Sequence, residues 1–270
     1  TDVSVNKATG PLFQAADTPE KMVALGEEAR AMGVSVLLGP GANIKRTPLC
    51  GRDFEYFSED PLLSSRMAGA WIRGVQRTGV AASLKHFAAN NQEERRTYID
   101  ARVDARALRE IYLASFEHAV TEARPWTVMA AYNRLEGTYC TQHPWLLTGV
   151  LREEWGFDGV VVSDWGAIDV RAESLAAGCD LEMPGSLGRG DAALLRDVRS
   201  GRVPLAALDA AVTRLLQLIQ RTARAREAGH TYDKEAHHAL ALRAAAEGAV
   251  LLKNEGGLLP VSPASHLAVI

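Results

Sequence analysis

The chain has 270 residues, 47% hydrophobic and 23% charged, with a formal net charge of −3. That balance supports a buried core and excludes a disordered polyelectrolyte. Basic and acidic residues are interspersed, which leaves no footprint for nucleic acid, and no run approaches the ~18 apolar residues of a membrane span.

Apolar runs alternate with amphipathic stretches along the chain. Residues 34–38, 80–84, 127–131, 160–163 and 179–183 read as strands. After the first, Asp60-Pro61 is a capped helix start, and Leu62, Leu63, Met67, Trp71 and Val75 follow at helical spacing. Leu108, Tyr112, Phe116 and Ala119 mark a second helix, residues 145–151 a shorter one. Leu205, Leu208, Val212, Leu215, Leu216 and Ile219 form a strong apolar stripe. Residues 222–233 read as a charged linker and 236–247 as a helix. Residues 249–253 and 267–270 read as strands of another unit.

Strand–helix alternation predicts an α/β fold with a mainly parallel sheet. No GxGxxG follows a strand, and Gly185, Gly188 and Gly190 have the wrong spacing for a phosphate loop. Polar residues instead close strand after strand: Lys85-His86, Tyr132-Asn133, Asp164-Trp165 and Glu182. Ligands gathered from several strand ends favour a barrel mouth over a doubly wound sheet. Cys50, Cys140 and Cys179 show no CxxC spacing and read as reduced structural thiols, which suits a cytoplasmic protein. The chain opens on Thr1 rather than Met, so its natural N-terminus is expected to lie upstream.

The segment Asp158-Gly-Val-Val-Val-Ser-Asp164-Trp165-Gly166-Ala167 carries the most chemistry. A valine run stops at a serine, a carboxylate and an indole. An indole stacks on the apolar face of a polyhydroxylated ring while a carboxylate reacts with its electrophilic carbon. The bland reading is that Asp164 only caps the following helix. Lys85-His86 read equally well as a surface pair or as a grip on vicinal hydroxyls. Arg52 lies in a long loop of the kind that often carries function, though its charges could also simply bind one another. Arg95-Arg96 beside Glu93-Glu94 would ordinarily be a solvated charge run, and Trp126, Trp145 and Trp155 core or interface residues. His237-His238 are helix neighbours that do not share a face, and no grouping has metal-ligand spacing, so neither metal nor cofactor is expected.

Read in order, these segments resemble glycoside hydrolase family 3 β-glucosidases. The match begins with Gly39-Pro-Gly-Ala-Asn-Ile-Lys-Arg-Thr-Pro-Leu-Cys-Gly-Arg-Asp-Phe-Glu-Tyr-Phe-Ser-Glu-Asp60 and Lys85-His-Phe-Ala-Ala-Asn-Asn-Gln-Glu93. Met129-Ala-Ala-Tyr-Asn133, Val162-Ser-Asp-Trp-Gly166, Gly178-Cys-Asp-Leu-Glu-Met-Pro184 and Leu251-Leu-Lys-Asn-Glu-Gly-Gly-Leu-Leu-Pro260 continue it. The resemblance implies a TIM-type (β/α)8 barrel over residues 1–228, lacking its first strand. Residues 229–270 would be a linker and the beginning of an α/β sandwich domain.

By the same resemblance Asp164 is the nucleophile of a retaining hydrolase that releases terminal non-reducing β-D-glucosyl residues. Arg52, Lys85, His86 and Arg96 would bind glycone hydroxyls, Tyr132 would stand near the nucleophile, and Met129 and Trp165 would wall the sugar pocket. Three departures qualify the match. The family's glycone-binding aspartate has no counterpart in residues 1–17. Ala89-Asn90 stand where single-domain β-N-acetylglucosaminidases carry a Gly-His pair, and no acid/base histidine motif follows. In the two-domain arrangement a glutamate of the second domain protonates the leaving oxygen, so that acid/base is expected outside this chain. The alternatives are a β-xylosidase or α-L-arabinofuranosidase of the same family, and a non-catalytic carbohydrate-binding remnant. The expected partners are a β-glucoside or oligosaccharide and the missing C-terminal domain; a homo-oligomer is left open.

Overall fold

The computed structural model describes residues 19–188 and 190–268. Helix α1 (Pro19–Ala31) leads into β1 (Val36–Leu37), and a long loop then reaches α2 (Pro61–Arg77). Asp60 caps α2 by accepting the Leu62 N–H at 2.8 Å, and Pro61 occupies the first turn, where no N–H is needed. Strands β2 (Ala81–Phe87), β3 (Asp100–Ala101), β4 (Thr127–Ala130), β5 (Arg134–Leu135), β6 (Thr138–Tyr139) and β7 (Val160–Ser163) follow. A helical stretch, α3, covers residues 105–123 between β3 and β4, and α4 (Trp145–Glu154) precedes β7. Both contain wide turns, as in the 2.8 Å bond from Leu113 N–H to Leu108 O. Helices α5 (Arg171–Ala177), α6 (Asp191–Arg199), α7 (Leu205–Arg221) and α8 (Lys234–Gly248) complete the order.

The main sheet runs β1–β2–β4–β7 in chain order, with every pair parallel. β5 pairs antiparallel with β6 and parallel with β3 in a small side sheet. Period-two alternation sorts the main strands' side chains between two cores. Val128 and Ala130 of β4, with Leu84 and Phe87 of β2, face the helices and meet Trp71, Ile72, Val75 and Phe116. Phe87 sits 5.3 Å from the Phe116 ring and 5.7 Å from Trp155, centroid to centroid. Each such large side chain, once buried, stabilises by about 1.5–3 kcal/mol. Ala81, Met129, Val160 and Val162 form a second core with Leu218, against which Trp165 and Leu181 pack.

The expected strand over residues 179–183 shrinks to one bridge, Val162 to Leu181. The cause is Asp180, whose Oδ2 takes the Val161 N–H at 2.8 Å, a donor that a ladder carbonyl would otherwise claim. Asp180 also binds Arg152 and Arg214, each at 2.7 Å, and its side chain is wholly buried.

The strands expected at 249–253 and from 267 are absent through residue 268; the last two residues lie outside the described ones. Val250 and Leu252 are 77% and 91% exposed, and no described strand runs beside them to satisfy a ladder. Helix α8 does form, and its His237 packs between Glu27 and Glu28 of α1 at 3.3 and 2.9 Å. Among the described residues no helix is long and apolar enough to cross a membrane.

Candidate active site

Asp164 follows β7 directly and is pinned there by its backbone, whose N–H donates to Ala130 O at 3.0 Å. It caps no helix: α5 begins seven residues later with Val170 at its N-cap. Oδ1 accepts the Trp165 N–H at 2.7 Å. Oδ2 is buried and accepts no hydrogen bond among the described residues. Burial raises the Asp164 pKa; the Trp165 N–H, Arg52, Tyr132 and Lys85 oppose that rise.

Lys85 and His86 reach the site through an irregularity in β2. Leu84 pairs with Val128 and Phe87 with Ala130, so three steps on β2 match two on β4. Such a bulge re-aims side chains. Leu84 and Phe87 both join the helix-side core, and the two residues between them are left for the site. The Lys85–His86 and Phe87–Ala88 peptides are cis. Neither residue is on the surface; they are 4% and 1% exposed.

The loop between β1 and α2 brings Arg52 and Glu55. Glu55 is almost fully buried and bridges Lys85 Nζ at 3.0 Å and Arg52 Nη1 at 2.8 Å. Arg52 Nε donates to Glu93 Oε1 at 2.9 Å, and Arg96 Nη1 lies 2.7 Å from Glu93 Oε2. The Arg96 guanidinium stacks 4.7 Å above the Tyr132 ring, whose hydroxyl donates to Trp165 O at 2.9 Å. Arg52, Lys85 and Arg96 thus face Glu55, Glu93 and Asp164 in one cluster.

His86 lies inside this network as a neutral ring. Burial, then the charges of Lys85, Arg52 and Arg96, hold its pKa well below 6.5. Its 3.6 Å approach to Asp164 Oδ2 is therefore a contact and not an ion pair. Burial, reinforced by Asp164, pushes the Tyr132 hydroxyl up to about 12.

Met129 and Trp165 sit at the floor and rim. Met129 is 2% exposed and packs under the site with Val162, while Trp165 is half-buried. Beside Tyr132 opens a cavity of about 270 Å³ lined by Thr97, Tyr98, Tyr139, Gly166 and Asp169. No group of His, Cys, Asp and Glu among the described residues could hold a metal ion. The cysteines Cys50, Cys140 and Cys179 are free and buried.

The structure gathers Arg52, Lys85, His86, Arg96, Tyr132 and Trp165 around Asp164. Of the tryptophans read as core or interface, Trp155 is buried and Trp145 is 41% exposed. Sequence reasoning gave no role to Asn43 and Tyr56, met Asn90 only as a departure from the Gly-His pair, and saw Glu55 as a loop charge and, with Glu93 and Glu182, a fallback acid. Asn43 clamps the His86 backbone from both sides, accepting its N–H at 2.7 Å and donating to its carbonyl at 2.9 Å. The Tyr56 hydroxyl meets the ring at Nδ1, and Asn90 Nδ2 donates to that hydroxyl, each at 3.0 Å. The available signal was proximity: Glu55-Tyr56 follow Arg52 by one helical turn, and Asn90 follows His86 by four residues.

Residues 13–218 match the glycosyl hydrolase family 3 N terminal domain. The chain belongs to this family. It is 57% identical over 247 residues to the thermostable β-glucosidase B of Acetivibrio thermocellus, covering 92% of this chain and 33% of that protein. An exo-α-(1→6)-L-arabinopyranosidase of Bifidobacterium breve is 50% identical over 88% of this chain and 31% of its own length. Among solved structures, β-glucosidase 3B of Thermotoga neapolitana in complex with α-D-glucose superposes with a TM-score of 0.86 at 46% identity. That superposition covers 94% of this chain and 36% of the other. The family 3 β-glucosidase of Bifidobacterium adolescentis gives the same score at 45% identity, over 94% of this chain and 38% of its own. The chain spans about a third of the length of these relatives.

Proposed function

We propose that this chain carries the glycone-binding and nucleophilic half of a retaining β-glucosidase. The observation that carries the reading is Asp164: a strand-end carboxylate with one oxygen held by a backbone N–H and the other buried without a partner among the described residues. An oxygen left free beside Arg52, Lys85 and Tyr132 is placed for attack. The names of the β-glucosidase relatives point to the same chemistry.

In this mechanism Oδ2 forms a bond to the anomeric carbon as the bond to the leaving oxygen breaks, giving a covalent glycosyl-enzyme. Water then attacks the same carbon, releasing the sugar and restoring the carboxylate. Arg52, Lys85, His86 and Arg96 bind and orient the sugar hydroxyls, and Trp165 and Met129 exclude water from the apolar ring face. Tyr132, neutral and held by Trp165 O, keeps its hydroxyl beside the nucleophile. The leaving oxygen needs a proton. Glu55, Glu93 and Glu182 are each committed to cations, Glu182 to Arg171 at 3.2 Å. A glutamate from a further domain suits the acid/base role better.

The parallel order β1–β2–β4–β7 supports reading residues 1–228 as a TIM-type (β/α)8 barrel domain; residues 229–270 are read as the linker and opening of a sandwich domain from the motif resemblance. An α-L-arabinopyranoside is the second reading, favoured by the 50% identical arabinopyranosidase. The β-xylosidase and α-L-arabinofuranosidase readings have no such support.

The test is the first-formed sugar from an aryl β-glucoside whose acidic phenol departs with little protonation. Proton NMR should show β-glucose before mutarotation; α-glucose would overturn the retaining mechanism. Faster release from the matching aryl α-L-arabinopyranoside would favour the second reading.

A further inference from the structure

Both ring nitrogens of His86 have partners that fix their character. Arg52 Nη1 lies 2.9 Å from Nε2, and a guanidinium only donates, so Nε2 is the bare, accepting nitrogen. Nη1 uses its other proton on Glu55 Oε1 at 2.8 Å. The ring proton of the neutral imidazole is then on Nδ1, which lies 3.0 Å from the Tyr56 hydroxyl.

That hydroxyl is fully used. It accepts from His86 Nδ1 and from Asn90 Nδ2, each at 3.0 Å, and donates to Asn90 O at 3.2 Å. It cannot turn its proton toward the imidazole without giving up the Asn90 carbonyl, a costly loss because Tyr56 is 1% exposed. Gly41 makes room for the ring: a Cβ there would come within 2.7 Å of Tyr56 Cδ1 and 2.9 Å of Cε1.

The tautomer matters because Nε2 is 3.6 Å from Asp164 Oδ2. That distance is beyond a hydrogen bond, so a bare Nε2 leaves the carboxylate oxygen for attack, whereas a proton there would turn a competing donor toward it. We propose that Tyr56 and Asn90 are positioning residues that hold His86 in the Nδ1–H tautomer, so that Nε2 stays an acceptor and Asp164 Oδ2 stays free. The consequence for turnover rests on the reading of Asp164 as nucleophile; the tautomer itself does not. In this state the Nε2 lone pair accepts the Arg52 N–H, and the ring turns no N–H toward Asp164.

The experiment is ¹⁵N NMR of the chain with labelled histidine. The chain has 7 histidines, and the His86 signals are those lost in His86→Gln. The folded wild type should show a protonated, pyrrole-type Nδ1 and a bare, pyridine-type Nε2. In Tyr56→Phe the Nδ1 proton loses its acceptor and only the Arg52 donor still opposes the Nε2–H form, which should become measurably populated. Its kcat on an aryl glucoside should fall about tenfold or more, with a smaller change in KM.

A protonated Nε2 in the wild type overturns the proposal, and so does a Tyr56→Phe spectrum identical to the wild type's. A shifted tautomer with unchanged kcat overturns the link to Asp164. The wild-type spectrum is read without substrate, so it decides the tautomer whether or not Tyr56→Phe folds and whether or not the chain hydrolyses glucosides.

Discussion

Glu55 holds Lys85 and Arg52 together, with one carboxylate oxygen on each cation at 3.0 and 2.8 Å. This buried side chain helps join the loop before α2 to the bulge of β2, beside the bonds of Asn43, Arg52 and Tyr56 to His86. Lys85 gives the site a cation on a rigid strand, and Glu55 supplies the charge that makes its burial tolerable.

Glu55→Gln should therefore act on stability and activity together. Breaking one side of a buried pair typically costs about 3–5 kcal/mol, because the other charge is left uncompensated. For a domain of this size that corresponds to a Tm lower by roughly 10 °C, measurable by calorimetry. An unchanged Tm would mean that Lys85 and Arg52 find other partners.

Asp180→Asn should separate the two effects. Asp180 binds Arg152, Arg214 and the Val161 N–H but does not touch Asp164. Urea unfolding should show a loss of about 3–5 kcal/mol, while turnover per folded molecule stays near the wild-type value. A large fall in turnover at full folding would place Asp180 in the chemistry.

Stability should fall in mild acid because of His86. The unfolded histidine takes a proton near pH 6.5, while the folded ring, buried among Lys85, Arg52 and Arg96, resists it to a much lower pH. Below about 6.5 the unfolded state binds more protons, so stability drops by up to ~1.4 kcal/mol per pH unit until the folded pKa is reached. Asp164 acts in the opposite sense at lower pH: its raised pKa stabilises the protonated folded form, and that contribution is lost as pH rises through the raised value. Urea midpoints at about pH 7.5 and about pH 5 should differ more for the wild type than for His86→Gln. Equal differences would show that His86 carries a proton in the fold.

The residues that end strands were legible because a buried apolar run leaves few reasons for a terminal Asp, Lys or His. Asp164 stood out on those grounds and the Asp60-Pro61 start of α2 on cap chemistry, whereas Lys85 and His86, read as following a strand that ends at Leu84, lie inside β2 at its bulge. Arg96 was hidden in a charge run, since nothing local distinguishes a guanidinium stacked on Tyr132 from one in water. Tyr56 was hidden because its partner is a ring 30 residues away on the β2 bulge, and Asn90 because it acts through the Tyr56 hydroxyl, 34 residues away. The strand expected at 179–183, with Glu182 as its polar end, failed because Asp180 inside the run puts its carboxylate where a ladder partner would be. Residues 249–253 have strand composition, but a strand forms only against a neighbour, and the described residues provide none.

The central claim is that Asp164 Oδ2 becomes covalently bonded to the sugar. It is tested most directly with a 2-deoxy-2-fluoro-β-glucoside carrying an acidic phenol, which forms the glycosyl-enzyme faster than water removes it. Peptide mapping by mass spectrometry should find the fluoroglucosyl group on the fragment containing Asp164, with Asp164→Asn unlabelled. Label on a different carboxylate, or equal labelling of Asp164→Asn, would contradict the account.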